Sequence, residues 1–174
     1  MGHCMRAAHT GLYVIMGVCG SGKSLIGAQL ARELDIEFVE GDGLHPPDNV
    51  QRMATGIPLT DDDRRGWLSA IAARLREAKR ARIGLVVSCS ALKRSYRDLL
   101  RSVVDADVRF VYLAGRRALL AERLAQRRGH FMPPSLLESQ LAILEEPSPD
   151  EGAWVCDIRQ APDAIVADLV KRSV

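Results

Sequence analysis

Four residues near the start of the chain have the types and the spacing that phosphate binding requires. The order glycine, four residues, glycine, lysine, serine is met at Gly17, Gly22, Lys23 and Ser24. They directly follow an apolar run, Leu12–Met16, that predicts a buried strand. Glycines let the backbone curl until its N–H groups converge on an anion, and a helix that begins near Lys23 directs the positive end of its dipole to the same point. The pattern therefore predicts a loop that holds the phosphates of a nucleotide.

The last two residues of this pattern have separate tasks. Lys23 is expected to reach the β- and γ-phosphates of ATP, and the Ser24 hydroxyl is expected to ligate Mg²⁺. A glycine-rich turn between a strand and a helix, without a ligand, is the competing interpretation. The other residues expected to contact the nucleotide are Gly17, Cys19, Gly20, Ser21 and Gly22.

A second group of candidate residues follows the predicted strand Glu37–Glu40. Asp42 and His45 come next, and this order places them at the carboxyl edge of a sheet, beside the phosphate loop. An ionised aspartate there can take the proton from an attacking hydroxyl or hold a water of Mg²⁺, so we predict Asp42 as catalytic base and metal anchor. The alternative is that Asp42 only caps a turn and that His45 only packs on Pro46.

The acidic run at 61–63 has two interpretations. Thr60 followed by Asp63 is typical of a helix start, and capping explains one or two of the acids. Three acids next to Arg64 and Arg65 exceed what a cap needs. A role in substrate binding therefore stays equally open.

The strand predicted at 83–88 ends without an acid. Many P-loop enzymes place an aspartate there that orients Mg²⁺, and this sequence has serines instead. We therefore expect Ser24 and Asp42 to organise the metal, with Ser88 or Ser90 as weaker partners.

Arginines are concentrated at 116–128, ahead of a Pro-Pro pair. A solvated helix face accounts for some of them. Guanidinium groups at the end of a helix that leads into a flexible loop can also close over ATP and contact the phosphoryl group in transfer. We assign this catalytic role to Arg127 and Arg123, and we expect a lid at about residues 123–140.

These residues need a scaffold that brings strand ends together. Short runs, most of them rich in valine and isoleucine, predict strands at 12–16, 37–40, 83–88, 108–113 and 154–158. Helical periodicity predicts helices at 24–34, 65–81, 116–127 and 161–171. The stretch 41–63, with three prolines, is expected to form a long functional loop. The alternation predicts an α/β fold of the three-layer P-loop NTPase type, in which helices and a short helical lid flank a parallel five-stranded sheet.

Bulk properties restrict the classes of function. A length of 174 residues fits one domain, predicted at 11–174, after a flexible tail at 1–10. The net charge of +2 creates no field that predicts binding to nucleic acid or to a membrane surface, and the sequence has no run of eighteen apolar residues. The four cysteines are scattered, which suits neither a zinc site nor a disulfide framework. We expect a cytoplasmic protein.

Six segments together resemble the gluconokinase family, which is related in fold to shikimate and nucleoside monophosphate kinases: GVCGSGKS, EGDGLHPPDNVQRM, GIPLTDDDRRGWL, CSALKRSYRDLLR, RRGHFMP and LEEPSPDE. The resemblance extends from about Leu12 to the carboxyl end, and Gly66 departs from it because the family usually has proline there. It implies transfer of the γ-phosphate of ATP to the terminal hydroxyl of D-gluconate, which gives 6-phospho-D-gluconate for the pentose phosphate route. A homodimer is an expectation from the family alone.

Gluconate sets requirements that the candidate residues can meet. A linear polyol with a carboxylate needs a cation at one end, hydrogen-bonding groups along its length and a base at the other end. Arg52, Arg64 and Lys93 can supply the cation, and the choice among them stays open. Asp42 is the best candidate for the base. The residues that can bind hydroxyls are His45, Asp61, Ser90 and His130.

Other functions stay open as alternatives. The first alternative is that this chain is another small-molecule kinase on the same scaffold, with shikimate, a nucleoside monophosphate or adenylyl sulfate as its acceptor. A nucleotide-binding switch of the GTPase kind is disfavoured, because the sequence has no N-K-x-D string and no strand-end D-x-x-G. A protein that kept the fold and lost the chemistry is disfavoured by the presence of Lys23, Ser24, Asp42 and Arg127.

Overall fold

The chain alternates between strands and helices throughout the part that the structure describes. The computed structural model describes residues 9–105, 107–126 and 134–173. No helix in these ranges is long and apolar enough to cross a bilayer. The strands are β1 (Leu12–Met16), β2 (Glu37–Glu40), β3 (Leu85–Ser88), β4 (Val108–Ala114) and β5 (Trp154–Asp157). The helices are α1 (Lys23–Leu34), α2 (Pro47–Ala54), α3 (Asp61–Ala81), α4 (Arg94–Ser102), α5 (Arg117–Ala125), α6 (Pro134–Ile143) and α7 (Pro162–Ser173), with short 3₁₀ turns at Gly41–Leu44 and Pro149–Glu151.

The five strands form one parallel sheet in the order β2, β3, β1, β4, β5. All five residues of the central strand β1 are buried, because helices cover both faces of the sheet. The carboxyl ends of β1, β2 and β3 meet at one edge, and predicted site residues follow each of them. The predicted fold class is confirmed.

Helices on the two faces complete the three layers. On one face, Leu75 of α3 packs in a core that also contains Val14. On the other face, Leu30 of α1 and Leu169 of α7 pack in a core that contains Ile15. Neighbouring residues of β1 thus point to opposite cores, as the alternation of side chains along a strand requires.

The prediction of a long loop at 41–63 was wrong. This segment contains the 3₁₀ turn Gly41–Leu44, helix α2 and the start of α3. One of its prolines begins a helix instead of preventing one, since Pro47 is the first residue of α2, where a missing N–H has no intrahelical partner to lose. Helix α3 begins at Asp61, four residues before the range 65–81 that periodicity predicts, and the predicted helix start at Thr60 and Asp63 is confirmed as a capping box.

One other boundary differs from the predictions, and one helix was not predicted. Strand β3 begins at Leu85, because Arg82 adopts a left-handed conformation and the Ile83 N–H bonds back to Ala78, so both residues belong to the end of α3. Helix α4 was not predicted, since it is short and mostly polar. Helix α6 lies largely within the predicted lid, whose central residues 127–133 are outside the described ranges.

Candidate active site

The phosphate loop, residues 17–22, connects β1 to α1. Its glycines have backbone conformations that side chains oppose, with φ of 144° at Gly17, 81° at Gly20 and 95° at Gly22. A Cβ at Gly20 would lie only 3.0 Å from Leu124, so α5 packs directly on the loop. The loop therefore has the tight curve that the glycine pattern predicts.

The amino end of α1 is open to an anion. Among the described residues no side chain caps this helix at Gly22, and its first turn has no acid. Lys23 Nζ donates to the Val18 carbonyl oxygen at 3.1 Å, which holds the ammonium group over the loop. Ser21 Oγ is buried and has no hydrogen-bond partner in the described ranges. Unpaired N–H groups, the helix dipole and the lysine together fit a polyphosphate.

Gly41 fixes the position of Asp42 at the carboxyl edge of the sheet. The Gly41 N–H donates to Ser88 Oγ at 2.9 Å, and Trp67 Nε1 donates to the Gly41 carbonyl oxygen at 2.7 Å. A Cβ at Gly41 would lie 1.8 Å from the Ser88 carbonyl oxygen, so the position admits only glycine. Asp42 follows with an exposed side chain that lines the same cavity as the phosphate loop.

His45 stacks on Trp67, with ring centroids 4.2 Å apart and planes 13° from parallel. Burial lowers the pKa of the imidazole below its usual value; the nearby Asp42 opposes this effect and Arg64 adds to it. His45 Nδ1 is buried without a hydrogen-bond partner among the described residues. A neutral imidazole with an unused nitrogen is better suited to bind a hydroxyl of a substrate than to bind a charged group of a substrate.

The three consecutive acids have three different partners. Asp63 caps α3 and pairs with Arg52, whose Nη1 lies 3.0 Å from Asp63 Oδ1. Asp62 pairs at the surface with the arginine three residues later. Asp61 accepts hydrogen bonds on both carboxylate oxygens from Lys93 Nζ, at 2.9 and 2.8 Å. Capping therefore explains Asp63 alone.

Asp61 also connects Lys93 to Tyr96 and Arg64. The Tyr96 hydroxyl donates to Asp61 Oδ1, and Arg64 Nη1 donates to the Tyr96 hydroxyl at 3.3 Å. Hydrogen bonds from Lys93 and then Tyr96 lower the pKa of Asp61, and Asp61 in turn raises the pKa of Lys93. Arg64 is only 8% exposed, lines the cavity and lies 3.9 Å from Asp61. Of the three candidate cations, Arg64 lies farthest from its carboxylate partner within the chain.

Arg97 holds the turn that carries Ser90 and Lys93. Its side chain is fully buried, and its Nη1 donates to the Ala91 carbonyl oxygen at 3.0 Å. The guanidinium also forms a two-point ion pair with Glu151, with distances of 2.6 and 2.7 Å. Ala91 has φ of 43°, which is unfavourable for a residue with a side chain. The buried ion pair thus stabilises a strained turn at the acceptor side of the cavity.

A carboxylate that sequence reasoning missed lies next to the end of β3. Ser88 Oγ donates to Glu40 Oε1 on the neighbouring strand β2, which pairs with Ser88 in register. In the described ranges no group of three or more histidines, cysteines and acids could hold a metal ion by itself. Mg²⁺ in kinases is commonly bound by one or two carboxylates together with substrate phosphates. The oxygens of Ser24 and Asp42, which line one cavity, fit this mode.

A cavity of about 380 Å³ joins the phosphate loop to several of the residues predicted to bind the acceptor. The predicted site residues that line it are Cys19, Gly20, Gly22, Lys23, Ser24, Asp42, His45, Arg64, Ser90 and Arg123. The predicted residues that the structure describes outside this lining are Gly17, Ser21, Arg52, Asp61 and Lys93. Arg127 and His130 lie outside the described ranges.

Arg123 is held by the chain that follows β5, because its Nη2 donates to the Ile158 carbonyl oxygen at 2.6 Å. Sequence reasoning missed several lining residues, most of them apolar and indistinguishable by pattern from core residues. The exceptions with a polar atom are Trp67, which lies in the segment GIPLTDDDRRGWL but was given no role, and Gln140, which lies in none of the six segments. The missed lining residues are Leu25, Met53, Leu59, Trp67, Leu92, Leu136, Gln140 and Pro162.

Known proteins are similar to this chain in sequence and in fold. The profile of a family described as AAA domain matches residues 12–147. The gluconokinase of Gluconobacter oxydans (strain 621H) is 48% identical over 158 residues, which cover 91% of this chain and 88% of the relative. The thermoresistant gluconokinase of Escherichia coli (strain K12) is 41% identical over 161 residues, with coverage of 92% and 91%. The crystal structure of a gluconokinase from Sinorhizobium meliloti 1021 is similar with a TM-score of 0.84 and 49% identity, over 92% of this chain and 90% of that one. The chain belongs to the gluconokinase family of P-loop kinases.

Proposed function

We propose that this chain transfers the γ-phosphate of ATP to the terminal hydroxyl of D-gluconate and so forms 6-phospho-D-gluconate. The observation that carries this function is a single cavity that joins the open amino end of α1 to Asp42 and to the buried Arg64. A polyphosphate fits the helix end, a reacting hydroxyl fits the aspartate, and a carboxylate fits the arginine.

The chain's own groups bind and orient the nucleotide. The N–H groups of the first turn of α1 bind phosphate oxygens. Lys23 Nζ leaves the Val18 carbonyl oxygen and binds phosphate oxygens instead. Ser24 and Asp42 would hold Mg²⁺, with Glu40 and Ser88 as further polar groups at the carboxyl ends of β2 and β3. When bound, Mg²⁺ neutralises charge on the β- and γ-phosphates.

Asp42 acts as the base in the transfer step. It accepts the proton of the terminal hydroxyl while the hydroxyl oxygen bonds to the γ-phosphorus. The bond from that phosphorus to the bridging oxygen breaks, and ADP leaves with the electron pair. Arg123 is proposed to leave the Ile158 carbonyl and contact the phosphoryl group, and the same role is proposed for Arg127.

Arg64 is the cation that we assign to the substrate carboxylate. Arg52 and Lys93 already have carboxylate contacts of 3.0 and 2.8 Å within the chain, whereas the corresponding contact of Arg64 is 3.9 Å. A buried guanidinium also forms stronger hydrogen bonds than an exposed one. Lys93 and Asp61 are proposed to orient Arg64 through Tyr96. The substrate hydroxyls are assigned to His45, Ser90 and His130.

A coupled assay of ADP formation over a panel of sugar acids tests this function. ATP consumption should depend on D-gluconate and should fall by about 100-fold or more in Lys23→Ala and in Asp42→Ala, since each loses a group that acts in the transition state. Equal turnover with shikimate or AMP, or no response to gluconate at saturating Mg²⁺ and ATP, would contradict it.

A second pair of variants tests the assignment of the carboxylate. Arg64→Met should raise KM for gluconate by about tenfold or more and leave KM for ATP nearly unchanged, since it removes a charge-assisted hydrogen bond to the acceptor alone. Arg65→Met is the matched control, because the Arg65 side chain is 81% exposed and pairs only with Asp62 in the described ranges. A larger rise of the gluconate KM in the control than in Arg64→Met would refute the assignment.

A cytoplasmic location, a homodimer and delivery of the product to the pentose phosphate pathway belong to the same proposal. They are supported by the family and by the scattered cysteines of the sequence. Cell fractionation, light scattering and tracing of labelled gluconate test the three statements separately.

A further inference from the structure

Gln140, in α6, contacts the phosphate loop directly. Its Oε1 accepts a hydrogen bond from the Cys19 backbone N–H at 2.7 Å, although the two residues are 121 positions apart in the sequence. Both residues line the cavity. None of the roles assigned above uses this contact.

The contact determines which way the Gln140 amide faces. A backbone N–H can only donate, so the side-chain oxygen must face Cys19 and the Nε2 group, with its two donors, must take the other position. Gln140 lines the cavity together with Lys23 and Arg123, both cationic. An additional donor in that position complements the negative charge of a nucleotide phosphate.

The phosphate loop needs an anchor of this kind. Gly20 and Gly22 have left-handed conformations and offer no side chains to hold the loop by packing. Gly20 lies against Leu124 of α5, and Cys19 is bound by Gln140 of α6. The loop is therefore held by the two helices that precede and follow residues 127–133.

The Cys19 N–H donates to Gln140 and therefore does not donate to a phosphate. It instead sets the curve of the loop, so that the neighbouring N–H groups converge on the anion. We propose that Gln140 is a positioning residue for phosphoryl transfer, which fixes the phosphate loop through the Cys19 N–H and ties α6 to the nucleotide site. This role rests on the proposed function for its catalytic effect, whereas its effect on nucleotide affinity does not depend on the acceptor.

The same contact would have the opposite effect on nucleotide binding if Gln140 blocked the phosphate site instead of positioning the loop. If the Gln140 oxygen competed with a phosphate oxygen for the Cys19 N–H, its removal would tighten nucleotide binding. A positioning residue requires weaker binding and slower transfer once it is removed. The two possibilities therefore differ in the sign of a measurable change.

Three variants separate these effects. Gln140→Met keeps the length of the side chain and removes the acceptor and the donors. Gln140→Glu keeps an acceptor for Cys19 and replaces the donors by negative charge. Gln160→Met is the matched control, because Gln160 is exposed after β5 and does not line the cavity.

The readouts are kcat, the KM values, the melting temperature, and the Kd of a non-hydrolysable ATP analogue measured without acceptor. Gln140→Met should lower kcat by about 10- to 100-fold, because a displaced loop misaligns the transferring group. Its analogue Kd should rise by about 3- to 10-fold, as expected for one lost hydrogen bond. Its gluconate KM should stay within about twofold of the wild-type value, because the acceptor residues are untouched. Gln140→Glu should bind the analogue more weakly still, yet keep a higher kcat at saturating nucleotide than Gln140→Met.

Three results would overturn the positioning role. The first is a wild-type kcat in Gln140→Met, and the second is tighter binding of the analogue by that variant. The third is that Gln140→Glu loses as much kcat and as much melting temperature as Gln140→Met. If Gln140→Met does not fold, Gln140→Asn replaces it, since the side chain is one methylene shorter and cannot make the same contact. If the wild-type chain shows no gluconate-dependent turnover, the proposed function fails, and the analogue Kd still decides the role of Gln140.

Discussion

Replacing Glu151 by glutamine tests how firmly the acceptor side of the cavity is held. The variant keeps the size of the side chain and removes the charge that pairs with Arg97. The Arg97 side chain is fully buried and that of Glu151 is 2% exposed, and Arg101 adds a third contact to the same carboxylate at 3.1 Å. Glu151→Gln therefore leaves a buried guanidinium without its counter-charge.

The pKa of Glu151 sets the expected magnitude. The hydrogen bonds from Arg97 outweigh the effect of burial and lower this pKa from 4.5 to about 2. The difference corresponds to about 3 kcal/mol of unfolding free energy at neutral pH. Because the folded pKa is below the unfolded one, this stabilisation is fully present above about pH 5 and is lost as the pH falls toward 2. About 1 kcal/mol should remain at pH 3.

Urea unfolding of the wild type and of Glu151→Gln at pH 7 and at pH 3 measures this change. The control is Glu122→Gln, because Glu122 is exposed on α5 and its carboxylate pairs with Gln126 alone in the described ranges. The unfolding free energy of Glu151→Gln should be lower than that of the wild type by about 3 kcal/mol at pH 7 and by about 1 kcal/mol at pH 3. The control should match the wild type at both values.

A difference below about 1 kcal/mol at pH 7 would refute the reasoning, since breaking a buried ion pair commonly costs about 3 to 5 kcal/mol. So would a difference that does not shrink on acidification. The variant should also raise KM for gluconate, because Arg97 stabilises the turn that carries Ser90 and Lys93.

Three further predictions concern the surroundings of Asp42. Gly41→Ala should prevent folding or strongly lower the melting temperature, because its Cβ would lie 1.8 Å from a backbone oxygen of β3, whereas Gly43→Ala, with open space around it, should melt like the wild type. Trp67→Phe should cost about 1 to 3 kcal/mol in thermal unfolding and lower kcat, since the buried Gly41 carbonyl loses its donor; an unchanged kcat would show that Asp42 does not depend on this bond. His45 should titrate below its usual pKa in an NMR experiment, and Asp42→Asn should lower that pKa further because the carboxylate favours the imidazolium form; a rise would contradict the assignment.

The nucleotide side of the cavity was predictable because its determinants are local. Eight consecutive residues carry the glycines, the lysine and the serine, and the strand before them and the helix after them follow from short-range patterns. The sheet was predictable for the same reason, since buried parallel strands are continuous apolar runs.

The acceptor side depends on pairings that spacing does not reveal. Arg52, Arg64 and Lys93 were equal candidates by charge, and only the fold shows that Asp63 pairs with the first and Asp61 with the last. Lys93 and Asp61 are 32 positions apart. Helix α2 was missed because the adjacent Pro46 and Pro47 are typical of a loop, although a proline at the first helical position favours a helix.

The amino end of α1, which no side chain in the described ranges caps, would through the proposed nucleotide binding couple the nucleotide to the folding equilibrium. A ligand that binds only the folded chain at 100 times its Kd adds about 2.7 kcal/mol to the unfolding free energy by mass action. That is a large share of the roughly 5 to 15 kcal/mol by which domains are commonly stable. The ATP concentration in a cell would then influence how long each molecule survives proteolysis, as well as how fast it turns over.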